Sequence, residues 1–207
     1  MKHLLRLAIA VIVLGLSPVA PSLGGTPLND ASRSWLLDLS TAEVSFAVRV
    51  LGVFTIRGEF EQVHGGLRLD AGCTASTIRF SIDTASVSTS DSAIEKLLRG
   101  PDLLNADRHP VISFTSTQIV QAATGSGTIT GRLGLNGINR EVTFELHRQG
   151  DWPDSAAGAP ARFRATTRIS RTAFGITALP VAVADSIDIT VVIDARPQHI
   201  RLADAAL

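Results

Sequence analysis

Apolar and polar residues alternate along several short stretches of this chain. Ile78, Phe80 and Ile82 alternate with polar or charged neighbours, and residues 44–50 show the same period of two. Such alternation predicts β-strands with one buried face. Residues 53–60 continue the second of these patterns beyond Gly52, which breaks or bends the ladder. Further strands are expected at 35–38, 66–70, 111–116, 127–135, 140–146, 162–169 and 186–195.

One segment between these strands has a helical period instead. Ile94, Leu97 and Leu98 are spaced as on one face of a helix, and Ser92 with Glu95 fits a capping box before them. Gly100-Pro101 ends the helix, a short turn follows as far as residue 104, and the strand pattern resumes after residue 110. A single helical insertion therefore interrupts a chain of strands.

The pattern as a whole predicts an all-β, mainly antiparallel fold of about eight strands with one short helical insertion. Eight antiparallel strands tend to close into a barrel, because closure removes the exposed edges. The inward residues are Val, Ile, Leu and Phe, so the interior either packs on itself or holds one slender apolar ligand. A chain of about ten carbons would gain roughly 8 kcal/mol of transfer free energy there. The pattern leaves both readings open.

The first residues predict export. Lys2 and Arg6 precede an apolar run of ten residues, 7–16, and small and turn residues follow it. This is the build of a signal peptide, which we expect at 1–24, although an uncleaved anchor stays an alternative. A polar lead-in at 25–34, a barrel domain at 35–196 and a tail at 197–207 would complete the chain. The expected location is periplasmic or secreted.

Charge gives little direction to binding. The chain has 19 basic and 19 acidic residues; without residues 1–24, which hold Lys2 and Arg6, the count is 17 against 19, a formal charge of −2. This balance favours neither nucleic acid nor an anionic membrane surface as a partner. The residues leave open a transient membrane contact and a homodimer.

Residues for catalysis or metal binding are sparse. Cys73 is the one cysteine, the five histidines do not have metal-ligand spacing, and no G-x-S-x-G elbow occurs. We therefore expect no enzyme activity, no cofactor and no metal. Arg171, which precedes Phe174-Gly175, could contact a polar head group or close a strand turn through an ion pair.

The order and spacing of seven short motifs resemble the YceI-like family of exported bacterial lipid-binding proteins. The motifs extend from Trp35 to Ala195 and are Asp38 with Val44-Ser45-Phe46, Gly58 with Phe60, Ser86–Thr89, Leu98–Leu104, Pro110–Ser116, Gly131–Arg140 and Arg171–Ile176. The resemblance implies a lipocalin-like barrel that holds a polyisoprenoid, an isoprenoid quinone or a fatty-acid derivative. Two segments depart from the family pattern: Thr41-Ala42 stands where the family often has His-Ser, and Ile94, Glu95 and Leu97 stand where it often has Arg, Asp and His.

Three functions follow as hypotheses. The first is a carrier or sequestering protein for a long-chain lipid, with a continuous apolar tunnel. The second is a stress-protection or interaction module whose barrel is filled by Phe46, Phe80, Phe114 and Phe144. The third, a lipid-modifying enzyme, would need a His or paired carboxylates at the tunnel mouth. For the first, alternation and the resemblance predict these ligand contacts: Phe46, Val48, Phe54, Ile78, Phe80, Leu97, Leu98, Ile112, Phe114, Leu133, Phe144, Arg171 and Phe174.

Overall fold

Ten strand segments and one helix make up the part of the chain that the structure describes. The computed structural model describes residues 34–68, 77–121, 126–149 and 161–198. The predicted signal peptide, Cys73 and residues 199–207 of the tail lie outside these ranges. The elements in chain order are β1 Ser34–Val50, β2 Phe54–Phe60, β3 Val63–Arg68, β4 Thr77–Asp83, β5 Val87–Thr89, α1 Ser92–Arg99, β6 Val111–Gln121, β7 Ser126–Leu135, β8 Ile138–Gln149, β9 Ala161–Ser170 and β10 Val183–Gln198.

The ten described segments form eight passes of the chain. Strands β2 and β3 continue each other across residues 61–62, and β4 continues into β5 through the 3₁₀ turn Thr84–Ser86. Pairing persists through this kink: Asp83 N donates to Gln62 O at 3.0 Å, and Glu61 N donates to Ser86 O at 3.1 Å. Gln62 N donates to the Ser86 hydroxyl at 3.1 Å.

Each pass pairs antiparallel with the next one along the chain, and the last pass pairs with the first. Strand β1 has β2 on one side and β10 on the other, while β2 pairs with β5 and β3 with β4. The other neighbours are β4–β6, β6–β7, β7–β8, β8–β9 and β9–β10. This ring of pairings closes the sheet and confirms the predicted eight-stranded antiparallel barrel with a helical insertion.

The predicted inward faces of the strands are correct in most of the barrel. Ile78 and Ile82 are buried while Arg79 between them is exposed, and Val44 and Val48 are buried beside exposed Arg49. Asn136-Gly137 forms the hairpin turn between β7 and β8, and both residues have the positive φ that such tight turns require.

Two local predictions were wrong. Asp91 is the N-cap of the helix, and its carboxylate accepts from Ala93 N at 2.8 Å; Ser92 is the first helical residue, not the cap. The predicted break between 38 and 44 is also absent from β1, because a bulge against β10 absorbs the intervening residues without ending the strand. No helix within the described ranges is long and apolar enough to cross a bilayer.

A layer of three phenylalanines fills the middle of the barrel. The Phe80 and Phe114 rings stack with centroids 5.2 Å apart, and Phe144 meets Phe114 edge-on at 5.3 Å. The Phe114 ring lies over Gly131 of β7, where a Cβ atom would be 2.5 Å from Cζ of the ring and 2.5 Å from Thr115 O. The missing side chain is therefore what makes room for the ring.

Replacing Gly131 by alanine should destabilise the barrel by about 1 to 3 kcal/mol, because the added methyl group meets main-chain atoms as well as the ring. Chemical denaturation measures this. Thr128→Ala, on the outer face of the same strand, is the control and should change stability by less than about 0.5 kcal/mol. An unchanged midpoint for Gly131→Ala would show that the Phe114 ring does not lie over this position.

Candidate ligand-binding site

A cavity of about 270 Å³ lies inside the barrel beneath the helix. This volume is near the lower end of small-molecule sites, which are about 300–1,000 Å³. The wall presents only apolar atoms to the space within it. Such a wall offers a hydrocarbon chain burial without any polar group to satisfy.

The register of β1 and β10 builds one side of the cavity. Alternate residues of the two strands pair directly across the ladder and all face the space: Val44 with Val191, Phe46 with Ile189, and Val48 with Ile187. Phe46 lies over Gly58 of β2, where a Cβ atom would be 2.5 Å from its ring. The period of two along each strand thus presents a continuous apolar surface.

The phenylalanine layer bounds the cavity on the side away from the helix. Phe80 and Phe144 line the space, whereas Phe114 lies behind them and is only 2 % exposed. Ile78 and Ile129, farther along their strands, are buried core residues outside the wall. The barrel is therefore filled at this level and hollow between the phenylalanines and the helix. Neither the expected continuous tunnel nor the expected filled barrel describes it along its whole length.

The helix is held over the cavity by polar contacts on its other side. Glu95 Oε1 accepts from Thr89 N at 2.9 Å, and Arg99 Nη2 donates to Val87 O at 2.7 Å, which ties α1 to β5. Its apolar residues Ile94, Leu97 and Leu98 line the cavity. Two of the three helical departures from the family pattern therefore extend the apolar wall, and the third, Glu95, fixes the helix.

The other departure lies away from the cavity wall. The Thr41 hydroxyl accepts from Asp194 N at 3.3 Å and so bridges β1 and β10 at their bulge. Thr41 does not line the cavity.

Arg171 organises the loop that joins β9 to β10 beside the cavity. The residue is 2 % exposed, and its guanidinium donates to four main-chain carbonyls. The acceptors are Ala184 O at 3.0 Å, Ile176 O and Ala178 O at 2.7 Å each, and Val183 O at 3.0 Å. Arg171 thus closes a turn as one of the two predicted alternatives has it, but through carbonyls instead of an ion pair. Its side chain lines the cavity without presenting a polar atom to it.

Asp185 fastens the same loop from outside. Its carboxylate accepts from the Thr172 hydroxyl at 2.6 Å and from Thr172 N at 3.1 Å. The Thr172 hydroxyl, together with Ser170 and Thr172 N, lowers the pKa of Asp185 below its ordinary value. The ionised carboxylate is therefore the form that the folded loop prefers.

The structure brings nine of the thirteen predicted contact residues to the cavity wall. They are Phe46, Val48, Phe80, Leu97, Leu98, Ile112, Leu133, Phe144 and Arg171. That they contact a ligand stays a prediction.

The other four predicted contacts do not line the cavity. Phe54 has the inward parity of β2, but it stands at the tip of the β1–β2 hairpin, beyond the wall, and is 64 % exposed. Ile78 lies past the phenylalanine layer, Phe114 lies within it, and Phe174 is buried in the 3₁₀ turn after β9. Alternation assigns a face to a residue and does not give its depth along the barrel.

The predicted contacts leave out many wall residues, which are of two kinds. The first alternate along predicted strands, as Ile187, Ile189 and Val191 do in the last one, so their pattern could have identified them. The second group comes from loops without any period: Leu103, Leu104, Ile176, Leu179 and Ala182. Among the described residues, no three His, Cys, Asp or Glu side chains are grouped so as to hold a metal ion.

Comparison with known sequences identifies one family. A model of the YceI-like domain matches residues 35–195. A UPF0312 protein of Shewanella denitrificans is 32 % identical over 178 residues, which cover 84 % of this chain and 87 % of that protein. A UPF0312 protein of Ectopseudomonas mendocina is 30 % identical over 177 residues, covering 84 % and 89 %.

Solved structures share the fold at lower identity. BcnA of Burkholderia cenocepacia matches with a TM-score of 0.67 and 23 % identity, over 76 % of this chain and 98 % of that one. A polyisoprenoid binding domain from Saccharophagus degradans, implicated in plant cell wall breakdown, matches with a TM-score of 0.59 and 15 % identity, over 79 % and 98 %.

Arg171→Lys should destabilise the protein by about 3 kcal/mol, because an ammonium group cannot reach four carbonyls that a guanidinium fork satisfies together. Denaturant unfolding followed by circular dichroism gives the value. Arg132→Lys, at an exposed position on β7, should leave the midpoint unchanged. Equal midpoints for both variants would contradict the role assigned to Arg171.

Asp185→Asn should lower stability at neutral pH and lose its effect in acid. A carboxyl whose folded pKa lies below its unfolded value of about 3.8 stabilises the fold above that value, and the contribution disappears as pH falls through the folded pKa. Unfolding midpoints of the wild type and the variant should therefore differ at pH 7 and converge as the pH falls through the lowered folded pKa of Asp185. A difference that stays constant with pH would exclude the carboxylate as its source.

Proposed function

Because the chain belongs to the YceI-like family, we propose that it binds a long-chain amphiphile with the hydrocarbon part inside the barrel. Transport, storage or sequestration of that molecule, in the periplasm or outside the cell after removal of residues 1–24, is the corresponding role. Binding of this kind needs no covalent chemistry and no cofactor.

The cavity is the observation that carries the proposal. Its wall is apolar on every side, from β1 and β10 to the helix. Each buried methylene group is worth about 0.8 kcal/mol, so a chain of about ten carbons would gain roughly 8 kcal/mol before the cost of association. That cost is about 4 kcal/mol or more, so ten carbons alone would bind weakly, with a Kd of about 1 mM or higher.

The same wall supports the proposed chemical class of the ligand. The space presents no polar atom, so a polar head group would be accommodated at the mouth and not inside. Polyisoprenoids, isoprenoid quinones and fatty-acid derivatives all have this division between head and chain. The name of the Saccharophagus degradans domain supports the first of these classes.

The phenylalanine layer supports a second candidate. Phe80, Phe114 and Phe144 fill the barrel at one level, as expected of an interaction or stress-protection module without a ligand. Under this alternative the cavity beneath the helix would stay empty in the cell.

Ile189→Trp should reduce binding at least about tenfold, since the indole would occupy the cavity in place of the hydrocarbon chain. The measurement is native mass spectrometry of protein from the exported fraction with lipid extraction, followed by titration with a fluorescent fatty acid. Thr190→Trp, whose side chain lies on the opposite face of β10, is the matched control and should bind as the wild type does.

Stoichiometric lipid on the wild type and its loss from Ile189→Trp would support the carrier. A wild type without lipid, even after incubation with isoprenoids and fatty acids, would favour the filled barrel. Equal binding by the Trp variants at both positions would place the ligand outside the cavity.

A further inference from the structure

Exposed apolar side chains surround the end of the barrel at which the cavity lies. The hairpin between β1 and β2 contributes Leu51, Val53 and Phe54, which are 63 %, 78 % and 64 % exposed. The segment before β10 contributes Val181, which is 96 % exposed, and Leu179. With Leu97 of the helix, these residues are named the apolar rim.

The apolar rim is continuous with the cavity. Leu97 and Leu179 are half exposed and also line the cavity wall, so the space opens to the outside beside them. Leu51 N donates to Ala182 O at 2.7 Å, which joins the hairpin to the segment before β10. The rim is thus the border of the mouth, and its members are not isolated surface residues.

Backbone conformation sets two rim residues apart. Among the described non-glycine residues, Leu51, Leu179 and two asparagines have positive φ. Asparagine adopts this conformation readily, whereas leucine does so at a cost. Leu51 and Leu179 both have φ of 52° and both expose their side chains to water. Leu179 also lines the cavity, whereas Leu51 does not. For Leu51, therefore, neither the backbone nor burial favours leucine in the isolated protein, which points to a role outside it.

Basic residues accompany the rim. Arg49 and Arg57 are exposed on the strands of the hairpin, and exposed Lys96 precedes Leu97. The three segments that carry the rim, 49–57, 92–99 and 177–185, hold four basic residues against two acidic ones, a net charge of +2. Glu95 is paired with Arg99, so the other charges of these segments are Arg49, Arg57 and Lys96 against Asp185, which accepts from Thr172. The rim is therefore locally basic, although the chain without residues 1–24 has a charge of −2.

We propose that the apolar rim docks on an anionic lipid bilayer. The apolar side chains insert at the level of the head groups, where Arg49, Arg57 and Lys96 meet lipid phosphates. In this orientation the mouth faces the bilayer, so a hydrocarbon chain passes between membrane and cavity without crossing water. Docking depends only on the rim and its basic residues, whereas passage of a hydrocarbon chain between membrane and cavity rests on the proposed function.

Flotation with lipid vesicles tests the docking. The wild type should float with vesicles of phosphatidylcholine and phosphatidylglycerol, about tenfold less with phosphatidylcholine alone, and less at high salt, because exposed charges are screened. Flotation with neither kind of vesicle would overturn the proposal.

Substitutions in the rim separate docking from folding. Leu51→Asn should raise the melting temperature by about 2 to 4 °C, since asparagine tolerates the positive φ, and should weaken flotation. Val53→Ser with Val181→Ser should weaken flotation about tenfold. Val120→Ser, on β6, is the matched control: Val120 is 49 % exposed and lies outside the rim. If Val120→Ser weakened flotation equally, any exposed valine would contribute to membrane binding, which would contradict a specific role of the rim.

Charge variants test the basic residues that accompany the apolar rim. Arg49→Gln combined with Lys96→Gln should remove most of the preference for phosphatidylglycerol, whereas Arg132→Gln, exposed on β7, should keep it. A preference unchanged in the double variant would overturn the role of the basic residues.

Two further measurements distinguish the other outcomes. Fluorescent fatty-acid binding without vesicles should be the same in the Leu51, Val53 and Val181 variants as in the wild type, because these residues do not line the cavity. Flotation without fatty-acid binding would refute the proposed function and leave docking intact. Light scattering that shows a wild-type dimer, and a monomer for the rim variants, would identify the rim as a contact with a second copy and overturn the membrane proposal.

Discussion

Closure of the sheet through main-chain hydrogen bonds is the constraint on which the rest of the structure depends. The ring is completed at the kink, where Gln62 N reaches the Ser86 hydroxyl and Gln62 O accepts from Asp83 N. Eight passes give an interior that side chains just fill or that holds one small ligand. Whether each level is filled is then decided by the size of the inward residues, since the backbone fixes the width.

The two ends of the cavity show how this choice is made. At one end, Phe114 fills the lumen because Gly131 on β7 leaves space for its ring. At the other end, two elements outside the sheet cover the cavity. They are the helix, which Glu95 holds, and the loop after β9, which Arg171 holds. A buried guanidinium that donates to four carbonyls gives this loop a fixed conformation without placing charge in the cavity wall. The mouth is therefore shaped by polar contacts that the cavity itself does not contain.

Local pattern predicted the strands and their faces because side chains alternate with a period of two wherever a sheet has one buried face. It could not give position along the barrel axis, so Phe54 at the hairpin tip and Phe80 at the cavity floor received the same assignment. Nor could it find Leu103 or Ile176, which reach the wall from irregular segments whose course is set by distant hydrogen bonds. The predicted capping box was wrong for a related reason. Glu95 has the spacing of a capping box, but its carboxylate accepts from Thr89 N on β5 instead.

The energetic cost of the cavity bears on the choice between a carrier and a filled barrel. Unfilled apolar space forfeits packing contacts, and domains are stable by only about 5–15 kcal/mol in total, so leaving about 270 Å³ unfilled is a substantial loss of stability. Larger side chains at Val44, Val48 and Val191 would remove much of it at positions that already face inward. A barrel that served only as a rigid module would gain stability from that exchange, whereas a barrel that holds a hydrocarbon chain regains the same free energy each time the ligand enters.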